Sequence, residues 1–211
     1  LSEVIGPAYG GIHKAVKSGT YNQFILAGGR GSLKSSYVSA EVILQLLQHP
    51  GIHAVVLRKV ANTLRKSVYA QYQWAIDKLG LSSKFLATVS PMELTYKPTG
   101  QKILFRGMDD PLKLASITVS SGYLCWVWIE EAYEIESEDD FDVIDLSVPR
   151  GEVPPPLFKQ TTLTFNPWSG KHWLKKRFFD GPRPDVACFT TDYRCNEFLD
   201  ETDRRLYERM R

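Results

Sequence analysis

Apolar residues in this chain gather into short, nearly unbroken runs instead of alternating with polar ones. Gln23–Ala27, His53–Arg58, Leu124–Ile129, Gln160–Phe165 and Val186–Thr190 each carry such a run, the pattern of strands covered on both faces. Between them lie longer segments of helical period at Lys34–Gln48, Thr63–Leu79, Glu138–Leu146 and Lys171–Phe179. Strands alternating with helices predict an α/β domain built on a mostly parallel central sheet. Glu93–Lys97 and Lys102–Arg106 flank Pro98-Thr99-Gly100, the signature of a small antiparallel hairpin added to that core. Gly151–Pro156 and Gly181-Pro182-Arg183-Pro184 read as loops because proline cannot continue a helix or a central strand. The expected organisation is a lead-in segment at 1–20, a core at 21–182 and a final strand and helix at 183–211.

Composition narrows the function classes. The chain has 211 residues, of which 43% are hydrophobic and 24% charged, with a formal net charge of +2. That balance supports a packed core and does not by itself argue for nucleic acid or a membrane. Three scattered cysteines support neither a disulfide framework nor a zinc site. No run approaches membrane-spanning length. The four histidines are scattered singly, and no pair has metal-ligand spacing on one helix face. Charge is uneven along the chain: Glu130 to Asp145 holds nine carboxylates and no Lys or Arg, whereas Lys171–Arg177 and 204–211 are basic-rich. The chain begins without methionine and ends in a charged helical stretch, which leads to the expectation of a fragment of a longer protein.

Two segments carry candidate chemistry. Gly28-Gly29-Arg30-Gly31-Ser32-Leu33-Lys34-Ser35 follows one expected strand and precedes an expected helix, the context of a phosphate-binding loop. Glycines let backbone N–H groups approach a polyphosphate, and the helix N-terminus adds its dipole. Lys34 is placed to reach the β- and γ-phosphates and the Ser35 hydroxyl to ligate Mg²⁺; Gly28, Gly29, Arg30, Gly31, Ser32, Leu33 and Ser36 complete the nucleotide-contacting run. Leu33 stands where the consensus has glycine, and a left-handed backbone there costs a leucine about 1 kcal/mol or more. A hundred residues on, Leu124–Ile129 runs into Glu130-Glu131, carboxylates at the end of a core strand where ligands of open α/β sheets bind. Glu130 is assigned to the metal and Glu131 to the attacking water.

Together, GGRGSLKS and WVWIEEA resemble the large terminase subunit of tailed bacteriophages, the ATPase that packages DNA into procapsids. The likeness extends to HAVVLRKVANT at His53–Thr63, to Gly107-Met108-Asp109-Asp110-Pro111-Leu112-Lys113, to Thr164-Phe165-Asn166-Pro167 and to Thr190–Asn196, covering roughly residues 20–200. The resemblance implies a P-loop NTPase fold of the ASCE/RecA-like kind, with ATP and Mg²⁺ as cofactors. It implies that Arg30, Lys34 and Ser35 contact phosphates and metal, that Glu130 and Glu131 support hydrolysis, and that Asn166 senses the γ-phosphate. It further implies that Tyr21-Asn22-Gln23 lies near the adenine, and that a basic residue reaches a neighbouring subunit's nucleotide, with Lys113, Arg106 and Arg150 as candidates. Implied partners are double-stranded DNA, a portal protein, a small terminase subunit and further copies in a ring, the isolated piece being a monomer. The setting is the host cytoplasm during virion assembly, and the family's nuclease domain is not expected in this piece. Two other readings stay open at this point: a different DNA-dependent P-loop ATPase of helicase type, and a nucleotide-binding assembly module with little turnover.

Overall fold

The computed structural model describes residues 4–109, 114–148, 151–181 and 183–209. Its strands are β1 Gln23–Gly28, β2 Ile52–Arg58, β3 Phe85–Val89, β4 Met92–Tyr96, β5 Gln101–Gly107, β6 Tyr123–Glu130, β7 Gln160–Phe165 and β8 Val186–Thr191. The helices are α1 Gly10–Lys17, α2 Lys34–Gln48, α3 Val68–Lys78, α4 Glu138–Ser147, α5 Trp173–Phe178 and α6 Glu201–Arg209. One eight-stranded sheet runs in the order β3-β4-β5-β2-β6-β7-β1-β8. All neighbours from β5 to β8 pair in parallel, and β3, β4 and β5 pair antiparallel. The expected α/β architecture is therefore present.

The unbroken apolar runs are explained by burial on both sides. Phe24, Leu26, Ala54, Val56, Trp126 and Trp128 face a core closed by α1, α2 and α3. Ile25, Ala27, Val55, Leu57, Val127 and Ile129 face a second core closed by α4 and α5. Trp126 and Trp128 are thus core residues. Trp128 packs against Tyr72 and donates its indole N–H to Thr164 Oγ1 at 2.9 Å.

Several local expectations need adjusting. The hairpin forms, but β5 also pairs in parallel with β2, Ala54 opposite Ile103, so it continues the core sheet. Gln101 fastens the junction by donating to the carbonyls of Leu46, His49 and Ile52 at 2.9–3.0 Å. The helix expected over Thr63–Leu79 is interrupted: Ala61–Lys66 is a 3₁₀ segment, and Ser67, at φ −113°, ψ −102°, separates it from α3. The lead-in contains α1, whose Ile12 and Val16 are one turn apart and buried. β8 runs the whole length of β1, from Gln23 opposite Val186 to Gly28 opposite Thr191.

The acidic and basic stretches meet each other. Arg177 of α5 bonds Glu138 at 3.0 Å and Asp142 at 2.7 Å, and its guanidinium lies 4.9 Å from the ring centre of Phe141. The aromatic-basic segment 172–179 is accordingly an amphipathic helix with Leu174 and Phe178 inward. Phe141 is fully buried against Trp173 and Phe178. Phe141→Ala is expected to lower the unfolding free energy by about 3–5 kcal/mol. Leu146→Ala on the same helix, at an 80% exposed position, is expected to change it by about 0.5 kcal/mol or less. Urea denaturation of both variants checks the pair.

Candidate functional site

The sheet order brings the two candidate segments together. β7 lies between β1 and β6, with Ala27 opposite Phe165 and Glu130 opposite Thr164. The ends of β1, β7 and β6 therefore present the glycine-rich loop, Asn166 and the Glu130-Glu131 pair along one carboxyl edge. In open α/β sheets this edge holds the ligand. A cleft of about 290 Å³ opens there, lined by residues 29–36, Glu130, Glu131, Thr164, Phe165 and Asn166.

The loop turns between β1 and α2. Gly28 is required by space, because a Cβ there would lie 2.2 Å from the Thr191 carbonyl oxygen of β8. Gly31 is required by conformation: its φ is +75°, and a Cβ would also meet the outer end of the Tyr207 side chain of α6 at 2.7–2.9 Å. Leu33, at φ 67°, ψ 15°, is left-handed and precedes the first residue of α2. Glu131, at φ 53°, ψ 49°, is left-handed too, and turns the chain from β6 into a 3₁₀ segment at Ala132–Glu134. These are the two non-glycine residues with positive φ among those described, and both line the cleft. Backbone strain of this kind persists where the surroundings hold it and gathers at functional sites.

Lys34 is buried, with its ammonium donating to Gly28 O at 2.6 Å, Gly29 O at 3.0 Å, Ser32 Oγ at 3.1 Å and Asn166 Oδ1 at 3.2 Å. Burial pulls its pKa down to about 8, against the opposing pull of Glu131 and Glu130. Ser32 is held in turn, its hydroxyl donating to Gly29 O at 2.9 Å and its carbonyl accepting from the Tyr9 hydroxyl. Tyr9 stacks on Tyr37 with centroids 4.5 Å apart, so the segment before α1 buttresses the loop. Glu130 is buried as well, and its carboxyl is pushed up to about 7, chiefly by burial, with Arg58 acting downward and Glu131 and Glu134 upward. Arg58, at the end of β2, sits 3.3 Å from Glu130 Oε2 and 3.9 Å from Glu134.

The donor set suits Mg²⁺. Glu130 Oε2 is buried and, beyond its ion pair with Arg58, accepts no hydrogen bond from the described residues, and the Ser35 hydroxyl lines the same cleft. Mg²⁺ takes few protein oxygens and completes its octahedron with water and phosphate. Arg30 is exposed at the cleft mouth. Gly29, Gly31, Ser32, Leu33, Lys34, Ser35, Ser36, Glu130, Glu131 and Asn166 all line the cleft, and Gly28 backs it.

Tyr21 and Gln23 do not join them. Gln23 opens β1 and donates to Asp145 at 2.8 Å, and Tyr21 packs edge-on against Phe24. Gln23 is five residue steps from the loop, roughly 16 Å along the strand, so the segment expected near an adenine stands apart from the cleft. Arg106 is engaged by Glu93 at 2.8 Å, while Lys113 and Arg150 lie outside the described residues. Neither Arg58 nor Tyr9 is readable from sequence as a site residue: Arg58 is one of four nearby basic residues, with Lys59, Arg65 and Lys66, and Tyr9 has no local signal.

A family model described as phage terminase large subunit matches residues 21–211. The terminase large subunit of Bacillus phage SPP1 is 37% identical over 179 residues, 84% of this chain and 42% of that protein. The chain spans less than half the length of the curated relatives it matches. Among solved structures, the large terminase of a thermophilic bacteriophage superposes with a TM-score of 0.72 at 14% identity, over 90% of this chain and 45% of that one. That protein has also been solved in complex with ADP and with ATP-gamma-S. The large terminase ATPase domain of Thermus phage P74-26 gives a TM-score of 0.64 at 15% identity, over 100% of this chain and 90% of that one.

The loop and the buried charges lead to two predictions. Gly31→Ala is expected to lower stability by about 1–2 kcal/mol through its positive φ, with an added steric cost that disappears in a Tyr207→Ala background; a double-mutant cycle by denaturation measures the difference. Stability of the metal-free protein is also expected to depend on pH in two windows. Folded Glu130 keeps its proton to about pH 7, whereas an ordinary glutamate loses it at 4.5. The native state therefore binds the extra proton between those values, and stability falls as pH rises through them. Folded Lys34 releases its proton at about 8 and an ordinary lysine at 10.5, so stability rises across that window. Glu130→Gln is expected to flatten the lower limb and Lys34→Met the upper one.

Proposed function

Because the chain belongs to the phage terminase large subunit family, we propose that its carboxyl-edge cleft binds ATP with Mg²⁺ and hydrolyses the γ-phosphate, driving double-stranded DNA into a procapsid. The observation that carries this reading is the convergence of Lys34, Asn166, Glu130 and Glu131 on one loop-lined cleft. Nucleotide complexes of the thermophilic bacteriophage protein, which shares the fold, support it.

Each residue has a role that follows from its position. Backbone N–H groups of the loop at residues 29–35 would donate to phosphate oxygens at the α2 N-terminus. Lys34 exchanges neutral oxygens for phosphate and stabilises charge developing on the transferred group. Arg30 reaches the same phosphates from the cleft mouth. Ser35 and Glu130 would hold Mg²⁺, whose bound charge offsets that of the phosphates. Glu131, held by its left-handed backbone at the end of β6, orients and deprotonates the attacking water. Asn166, already bonded to Lys34, registers whether a γ-phosphate occupies the space between them and passes that to the loop after β7.

The motor acts as a ring of copies docked on a portal protein, with a small terminase subunit selecting the genome, in the host cytoplasm during virion assembly. A neighbouring copy completes the site with a basic residue, so the lone domain turns over slowly. Glu131→Gln is expected to lower Mg²⁺-dependent phosphate release by 100-fold or more, on the order of what positioned acid–base catalysis contributes, while MgATP affinity changes less than about threefold. Double-stranded DNA is expected to stimulate the wild-type rate. Phosphate release unaffected by Glu131→Gln would contradict the assignment, and turnover indifferent to DNA would contradict the packaging role.

A further inference from the structure

Arg58 ends β2, and the parallel register of Leu57 with Ile129 sets it beside Glu130 at the end of β6. Both residues continue the alternation of Ala54, Val56, Trp126 and Trp128, which face the core closed by α1, α2 and α3. Their side chains therefore leave the sheet on the face that carries α2. β5 fixes the other edge of Arg58, which pairs with Gly107 and accepts from Met108 N at 2.9 Å through its carbonyl. From this platform the guanidinium reaches two carboxylates, with Nε 3.3 Å from Glu130 Oε2 and Nη2 3.9 Å from Glu134 Oε1. The side chain is only 18% exposed and does not line the cleft. We propose that Arg58 is the positioning residue of Glu130, holding its carboxylate in the orientation that takes Mg²⁺, an assignment that rests on the nucleotide reading above.

Three observations point the same way. The contact of Arg58 with Glu130 is an ion pair without the alignment of a hydrogen bond, so it holds the carboxylate by charge and leaves a lone pair of Oε2 for a cation. Glu134 holds the far end of the guanidinium, and the planar fork of an arginine spans two carboxylates as a lysine ammonium does not. One step along the chain, Lys59 is exposed and pairs with Glu136, so the two adjacent bases divide between site and surface. A buried ion pair adds little net stability over apolar residues of the same volume; what this one supplies is direction. Carboxylates that ligate metals are commonly held by such outer partners, whose loss costs about 10–100-fold in metal affinity. Arg58 in this role touches neither nucleotide nor metal and acts through Glu130.

The test uses Mn²⁺ in place of Mg²⁺, because the signal of free Mn²⁺ is read directly by electron paramagnetic resonance. The chain and its Arg58→Met and Arg58→Lys variants are titrated with Mn²⁺ in the presence of limiting ADP. Calorimetry in EDTA gives the metal-free ADP affinity of each, and thermal melts check folding. Arg58→Met is expected to weaken Mn²⁺ binding about tenfold or more and to leave metal-free ADP affinity within about twofold, with Arg58→Lys in between. In Mg²⁺-dependent phosphate release the same loss appears as a raised KM for Mg²⁺, with kcat at saturating Mg²⁺ changed less than about threefold. Mn²⁺ affinity unchanged or tightened in Arg58→Met would make Arg58 a bystander or a competitor of the metal and overturn the proposal. An equal loss of metal-free ADP affinity would show a general disturbance of the cleft and also overturn it, as would Arg58→Lys no better than Arg58→Met. If Arg58→Met does not fold, Arg58→Lys alone decides: a loss limited to the metal supports the proposal, and wild-type Mn²⁺ affinity contradicts it. Failure of the wild-type chain to bind ADP at all would overturn the nucleotide reading itself, a result distinct from these.

Discussion

The ammonium of Lys34 is buried where β1, β7 and β6 end, and it donates to neutral oxygens of Gly28, Gly29, Ser32 and Asn166. A buried cation needs such partners, because removing it from water without compensation is costly. The carboxylates Glu130 and Glu131 pull on it only through space. Neutral dipoles satisfy the ammonium's donors and leave its charge to be balanced, and a polyanion is the ligand that does so. The loop around it is arranged to the same end: Gly28 admits β8, Gly31 admits Tyr207, and Tyr9 fixes Ser32 from behind.

Strain and charge coincide in this cleft. Leu33 and Glu131 both adopt left-handed backbone, one before α2 and one after β6. Each conformation costs about 1 kcal/mol or more, and each reverses the chain sharply enough to aim the next segment. Leu33 starts α2 with Lys34 facing back over the loop. Glu130 is buried beside Arg58, whereas Glu131 is half-buried at the turn that follows. Two adjacent acids thus acquire different environments, as the proposed division between a metal ligand and a proton acceptor requires.

Much of this was legible in the sequence. Unbroken apolar runs announced a sheet covered on both faces, and the strand–glycine loop–helix order located the cleft. Leu33 was legible as a departure from the glycine usual at that place in the loop, and its left-handed backbone is what the structure adds. Other features were hidden because they depend on contacts distant in sequence. Arg58 becomes distinct from Lys59, Arg65 and Lys66 only when β2 is placed beside β6. Tyr9 and Tyr207 act on the loop from opposite ends of the chain. α1 begins with two glycines, poor helix formers, and is held by the packing of Ile12 and Val16. Tyr21–Gln23, expected near the adenine, stand where β1 begins, and the loop stands where it ends.

The central claim is that the Lys34 cleft is a polyphosphate site despite Leu33. Calorimetric titration of this chain with MgATP, alongside Lys34→Ala, tests it most directly, since binding precedes any turnover. The account predicts saturable binding in the wild type that Lys34→Ala weakens by about tenfold or more. Equal affinity in both proteins, or no binding at millimolar nucleotide, would contradict it.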